Sequence, residues 1–215
     1  MRKPLRSLFV LSLLAIPVAT AAQQYRVNEA TYITREQIDQ VNTLPGVDRQ
    51  IISRDIGKLN LSVGIIHRGA MGGAPAGGRG GAAGGAAAPP ADPCGVSSGA
   101  PSGASGIAHD AQTETYVIWS GAGTLVTGGS IMNGRRSGPE SSVTTTLNGP
   151  SCSGQIVGDV KRIDVKEGDV IIIPAGVPHG WAAVPDHVDY LSVRPDPDRV
   201  LSDRYVHPTI EGQLH

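Results

Sequence analysis

GDVIIIPAGVPHGWAAV, residues 168–184, runs a β-branched apolar segment into a proline, a glycine and one histidine. The run Val170 to Ile173 is too short for a helix and has the composition of a strand. Pro174 and Gly176 end it, since proline removes a ladder N–H and glycine tolerates tight turns. His179 then starts a second apolar segment, in which His179, Trp181 and Ala183 share one face by the two-residue repeat of a strand. An imidazole in this place has two readings: a histidine at a turn, or a metal ligand.

Working outward, a second segment carries comparable chemistry. In GIAHDAQTETYVIWSG, residues 106–121, strand alternation puts Glu114 on one face with Tyr116 and Ile118. A carboxylate on an apolar, inward face must be paired or must coordinate something. Around both segments lie short strand-like runs: GTLVTGG, SSVTTTL, GQIVGDVKRIDV and DYLSVR, separated by Gly, Asn, Pro and Asp. No long amphipathic helix interrupts them, which predicts an all-β sandwich or barrel. Upstream, residues 50–67 read as two more strands. Residues 31–44 read as a short helix, with Thr34 as N-cap, Gln37 three positions on, and an apolar stripe of Ile38, Val41 and Leu44.

The two segments together resemble the paired motifs of the cupin superfamily. Gly168, Pro174, Gly176 and His179 match G-x5-P-x-G-x2-H, the second motif. His109, Glu114 and Gly121 match H-x4-E-x6-G, the latter part of the first motif, which in full is G-x5-H-x-H-x3–4-E-x6-G. The match and its flanking strands cover roughly residues 58–195. The resemblance implies a jelly-roll β-barrel and a divalent metal ion (Fe, Mn, Ni or Zn) held by His109, Glu114 and His179. The chain departs from the pattern at Ile107, where the first histidine would stand, and at Ala183, where asparagine is frequent. Three protein ligands with open positions suit catalysis better than a structural site. His67, at the end of LSVGIIH, is a fourth candidate ligand; the other reading is a surface histidine at a strand end.

In DYLSVR, Tyr190, Ser192 and Arg194 share a face. If that face points inward, Arg194 is placed to bind a substrate carboxylate; if outward, it is solvated. Tyr116 and Trp181 fill the core or line a substrate pocket, core packing being the favoured reading, and Tyr190 is a further candidate for the pocket.

Residues 1–22 carry Arg2, Lys3 and Arg6, an apolar run from Leu8 to Val18, and small residues at 19–22, the pattern of an export signal. Its removal would leave 193 of the 215 residues and take the formal charge from −1 to −4. That balance, with no basic–aromatic cluster, argues against nucleic-acid binding. No other run is long enough to span a membrane as a helix. Cys94 and Cys152 form a disulfide in an exported protein, or remain free thiols. Residues 23–57 lead into the barrel at 58–200, which carries a Gly/Ala/Pro-rich insertion at 69–105, read as a flexible loop; 201–215 form a tail. The expected function is an exported metal-dependent enzyme acting on a small organic molecule, oxygenase chemistry being favoured over isomerase or lyase chemistry. The alternative is a non-catalytic binding or structural barrel. Cupins often pair through sheet edges, so a homodimer is the assembly the resemblance suggests.

Overall fold

The computed structural model describes residues 30–72, 92–97, 99 and 103–214. The expected export signal lies outside these residues, as do His215 and residues 73–91 of the Gly/Ala-rich insertion. No helix among the described residues is long and apolar enough to cross a membrane.

One helix, α1 (Arg35–Asn42), precedes the strands. Thr34 Oγ1 accepts from the Gln37 amide at 3.2 Å, and Gln37 Oε1 accepts from the Thr34 amide at 2.8 Å. This capping box satisfies two amides that the first turn cannot, worth about 1 kcal/mol. The apolar side of α1, Ile38 and Val41, packs on Ile51, Ile52 and Ile65.

The strands are β1 (Asp48–Asp55), β2 (Asn60–Met71), β3 (Pro93–Cys94), β4 (Ala104–His109), β5 (Glu114–Arg136), β6 (Ser151–Lys166), β7 (Val170–Ile173) and β8 (His179–Asp196). All pair antiparallel. β8 pairs with β5, β5 with β6 and β6 with β4, and β4 meets β8 again where Ile107 stands opposite His179. The pairings thus close into a barrel. β7 adds beside β5, and β2 then β1 beside β8. Inside lies a core of Ile66, Tyr116, Ile118, Leu125, Trp181 and Tyr190, with neighbours.

Several expectations change. ETYVIWSG and GTLVTGG are one strand, β5, and HGWAAV and DYLSVR are one strand, β8. The glycines and Pro185 between them bend the strands through register shifts instead of ending them. SSVTTTL is not a strand: Val143–Leu147 form a single π-helical turn. The hydroxyls of Thr145 and Thr146 donate to the carbonyls of Ser141 and Ser142, at 2.9 and 2.8 Å. That local bonding overrides the strand propensity of β-branched residues. The insertion is framed by strands within its expected bounds, since β2 runs on to Met71 and β4 begins at Ala104. The tail is docked: the Ser53 amide donates to the Tyr205 carbonyl at 3.0 Å, the His207 amide to the Ile51 carbonyl at 2.8 Å, and Ile210 is fully buried against α1 and β1.

Cys94 and Cys152 form a disulfide, with Cα atoms 6.0 Å apart, that ties β3 to β6 across a separation of 58 residues. Closing a loop of that length restricts the unfolded chain by up to about 4 kcal/mol. Cys94→Ala with Cys152→Ala is expected to lower the urea midpoint by an amount worth about 2–4 kcal/mol. An unchanged midpoint would count against a bridge in the folded protein.

Candidate metal centre

Three strand ends meet on one wall of a 390 Å³ cavity. His109 closes β4, Glu114 opens β5, and His179 opens β8. Gly180 allows β4 and β8 to approach, because a Cβ there would collide with the Ser105 carbonyl oxygen. The turn before His179 is fastened to the strand end that carries His109. Val177 N donates to the Pro174 carbonyl at 3.1 Å, and Gly176, at φ +78°, donates to the His109 carbonyl at 2.7 Å. That positive φ is the third position of a type II turn, which glycine adopts without strain.

Hydrogen bonding fixes the histidine tautomers. His179 Nδ1 lies 3.0 Å from the Val177 carbonyl oxygen, which can only accept, so Nδ1 carries the proton. His109 Nδ1 lies 2.8 Å from Ser151 Oγ, whose own proton goes to the Gly149 carbonyl at 2.9 Å. His109 is therefore also protonated on Nδ1. Both Nε2 lone pairs face Glu114 Oε2, at 3.2 Å from His109 and 3.0 Å from His179. Acceptors this close repel one another unless a cation lies among them or an imidazole gains a second proton. The angle between His179 and Oε2 is wrong for a hydrogen bond, and the buried His179 Nε2 has no hydrogen-bond partner. Lone pairs aimed at a shared third point have that arrangement. Ligands at right angles around an ion, each at about 2.1 Å, stand about 3.0 Å apart. The spacing and the two-nitrogen, one-oxygen donor set fit a divalent metal; the three donor atoms lie within 4.8 Å of one another.

The rest of the site holds the carboxylate in place. Glu114 Oε1 accepts from Ser192 Oγ at 2.8 Å, Arg194 Nε at 2.9 Å and Asn148 Nδ2 at 3.1 Å, while Tyr116 Oη donates to Oε2 at 2.9 Å. Burial alone would raise the Glu114 carboxyl, but Arg194, with His109 and His179, outweighs it and holds the group well below the usual carboxylate range. Burial pushes His109 down, so its ligand form is the neutral one. Burial, with Glu114 beside it, pushes the Tyr116 hydroxyl up and keeps it a donor. Arg194 reaches on to Asp48 Oδ2 at 2.6 Å.

The sequence-predicted residues separate into three groups. His109, Glu114 and His179 converge. Tyr116, Trp181 and Tyr190 line the cavity, and so does Ile107. His67 and Arg194 do otherwise than expected. His67 projects from the opposite face of β2 from Ile66 and pairs with Asp189 at 2.6 Å, half-exposed. It is not part of the cluster, because two residues of β2 sharing an edge cannot both face inward when adjacent in sequence. Arg194 does point inward and is fully buried, but its guanidinium is committed to Glu114 and Asp48 and is not part of the cavity lining. Sequence reasoning missed Asp48, Asn148 and Ser151, which lack motif positions, and Arg68. Arg68 was findable: it stands two residues after Ile66 on the inward face of β2. Arg194→Met strands the buried Glu114 carboxylate and removes a partner of the half-buried Asp48, so it is expected to cost about 3–5 kcal/mol in a denaturation curve; a loss below about 1 kcal/mol would contradict the ion-pair geometry.

No family model matches the chain, and no curated protein matches it. Solved structures similar to it include a cupin protein from Bacteroides fragilis (13% identity, TM-score 0.30, covering 64% of this chain and 67% of that one). Another is a conserved double-stranded β-helix protein from Klebsiella pneumoniae (14%, 0.36, 79% and 93%). A third is an RmlC-like cupin family protein from Methanocaldococcus jannaschii (11%, 0.33, 82% and 98%). Identities and scores this low transfer no activity. By its own strand pairing the chain has an all-β antiparallel fold, in which residues 109–121 and 168–179 meet, and the solved structures named here are cupin and double-stranded β-helix proteins.

Proposed function

We propose that the protein is an exported, metal-dependent cupin enzyme acting on a small organic molecule. One observation carries this reading: two Nε2 lone pairs and a carboxylate oxygen face one another in a cavity wall, with both tautomers set by outer hydrogen bonds. His109, Glu114 and His179 would hold the ion. A divalent ion such as Fe, Mn, Ni or Zn would supply Lewis acidity or, as Fe(II), adjacent open positions for O₂ and substrate. That openness favours oxygenase chemistry over isomerase or lyase chemistry. The chain's own residues do the rest. Ser151 and the Val177 carbonyl hold the imidazoles at fixed orientation, as outer partners of metal-bound histidines generally do. Arg194, Ser192 and Asn148 occupy Oε1 and leave Oε2 to face the histidines. Apolar side chains such as Ile107 and Trp181 line the cavity beside the three donors. The signal-like residues 1–22 and the disulfide support export.

A second reading has an observation of its own. Arg194 already balances Glu114, and a doubly protonated His179 would relieve the remaining repulsion. The barrel would then be a metal-free binding protein.

The purified protein, dialysed against Fe, Mn, Ni or Zn, is expected to retain about one ion per chain and to melt at a higher temperature for it. His179→Ala and His109→Ala should abolish retention. Glu114→Gln, which keeps the shape of the side chain, should weaken it at least tenfold. A wild-type protein that retains none of the four metals would overturn the enzyme reading. Acidification should also release the ion, since protons compete for both imidazoles and the carboxylate.

A further inference from the structure

The cavity holds a second charged group that the metal centre does not use. Arg68 lies on β2 opposite Val188 of β8, and Tyr190 is its diagonal neighbour on that strand. Arg68 Nε donates to Tyr190 Oη at 3.1 Å. Among the described residues nothing accepts from Arg68 Nη1 or Nη2, and no carboxylate lies within ion-pair distance of them. Tyr190 Oη also accepts from Trp181 Nε1 at 3.2 Å, so both its lone pairs are taken and its own proton remains to be donated. Arg68, Tyr190 and the candidate metal ligands all line the same cavity.

Charge balance points the same way. Among the described residues, the charged side chains gathered at this end of the barrel are the buried Glu114 and Arg194 and the half-buried Asp48 and Arg68, two of each sign. A divalent ion on the histidines and Glu114 would leave the cavity with an excess of positive charge, which an anionic ligand offsets.

We infer that the Arg68 guanidinium, oriented by the buried Tyr190 hydroxyl, binds the carboxylate of a small organic acid whose apolar body lies against Trp181 and Ile107. A guanidinium with two free terminal nitrogens matches a carboxylate in a bidentate fork. One free guanidinium suits a monoanion; among the described residues the lining supplies no lysine or second free arginine of the kind a phosphate dianion would call for. The apolar walls favour an aromatic or aliphatic acid over a sugar. The inference rests on the cavity being the active site of the proposed metalloenzyme, but the carboxylate contact itself needs no metal. It also reassigns the role that the sequence suggested for Arg194, which is spent on Glu114 and Asp48.

Benzoate and its neutral counterpart benzamide separate the possibilities. Each is titrated by calorimetry into the full chain, first stripped with EDTA and dialysed, then loaded with Zn(II). Wild type is expected to bind benzoate at least tenfold more tightly than benzamide in both states. Arg68→Met should weaken benzoate at least tenfold and leave benzamide unchanged, with metal retention as in wild type. Arg68→Lys, which keeps the charge but not the fork, should recover part of the benzoate affinity. Equal benzoate affinity in wild type and Arg68→Met, or no preference of wild type for benzoate, would overturn the inference. If Arg68-dependent benzoate binding persists in a protein that takes up no metal, the metal reading alone fails. If metal is retained without Arg68-dependent binding, the carboxylate inference alone fails.

Discussion

A carboxylate 2% exposed to solvent, at the mouth of β5, sets the terms for the rest of the structure. An ionised group so deeply buried is untenable unless its field is matched on every side. Glu114 meets this by dividing its two oxygens. Oε1 takes donors from Asn148, Ser192 and Arg194, and Arg194 passes the charge on to Asp48. Oε2 is left to Tyr116 and the two histidines. The asymmetry makes the candidate site: one oxygen is anchored by the scaffold, and the other faces the two imidazoles, where the proposed cation would lie.

The barrel serves that division. Its closure through β8, β4, β6 and β5 brings the start of β8 to the adjoining ends of β4 and β5, which lie far from it in the chain. Residues 174–177 then lock His179 to His109 by a backbone hydrogen bond instead of by side-chain packing alone. Preorganisation of this kind keeps the geometry of the three donors insensitive to side-chain motion, which is what the proposed three-ligand site would require. Ile107, at the position of a fourth ligand in the cupin pattern, stands opposite His179 across β4 and β8 and lines the cavity with apolar surface.

Much of this was legible in the sequence, for reasons that differ by element. The capping box at Thr34 and Gln37 is local chemistry, and α1 forms where it predicts. Alternation placed Glu114, Tyr116 and Ile118 on one inward face, and all three are buried there. The two motif segments brought His109, Glu114 and His179 into one candidate set. What alternation could not supply was which face of DYLSVR turns inward, since polar and apolar sides are both plausible when a buried ion network exists. Tyr190, Ser192 and Arg194 do face inward: Ser192 and Arg194 donate to Glu114, and Tyr190 accepts from Arg68 and Trp181. SSVTTTL misled because its hydroxyls bond the backbone locally, and His67 misled because it falls one residue out of phase with the inward positions Ile66 and Arg68. Asp48 and Asn148 come from segments with no motif, brought in by pairing across long separations that sequence spacing does not encode.

The central claim is that three donors face a metal and not merely one another. Its most direct test is a crystal of the protein grown with Mn(II) or Zn(II), with anomalous diffraction recorded at the metal edge. The account predicts one strong peak about 2.0–2.3 Å from His109 Nε2, His179 Nε2 and Glu114 Oε2. A map with no peak there, in which a reoriented His179 Nε2 donates a linear hydrogen bond to Glu114, would contradict it.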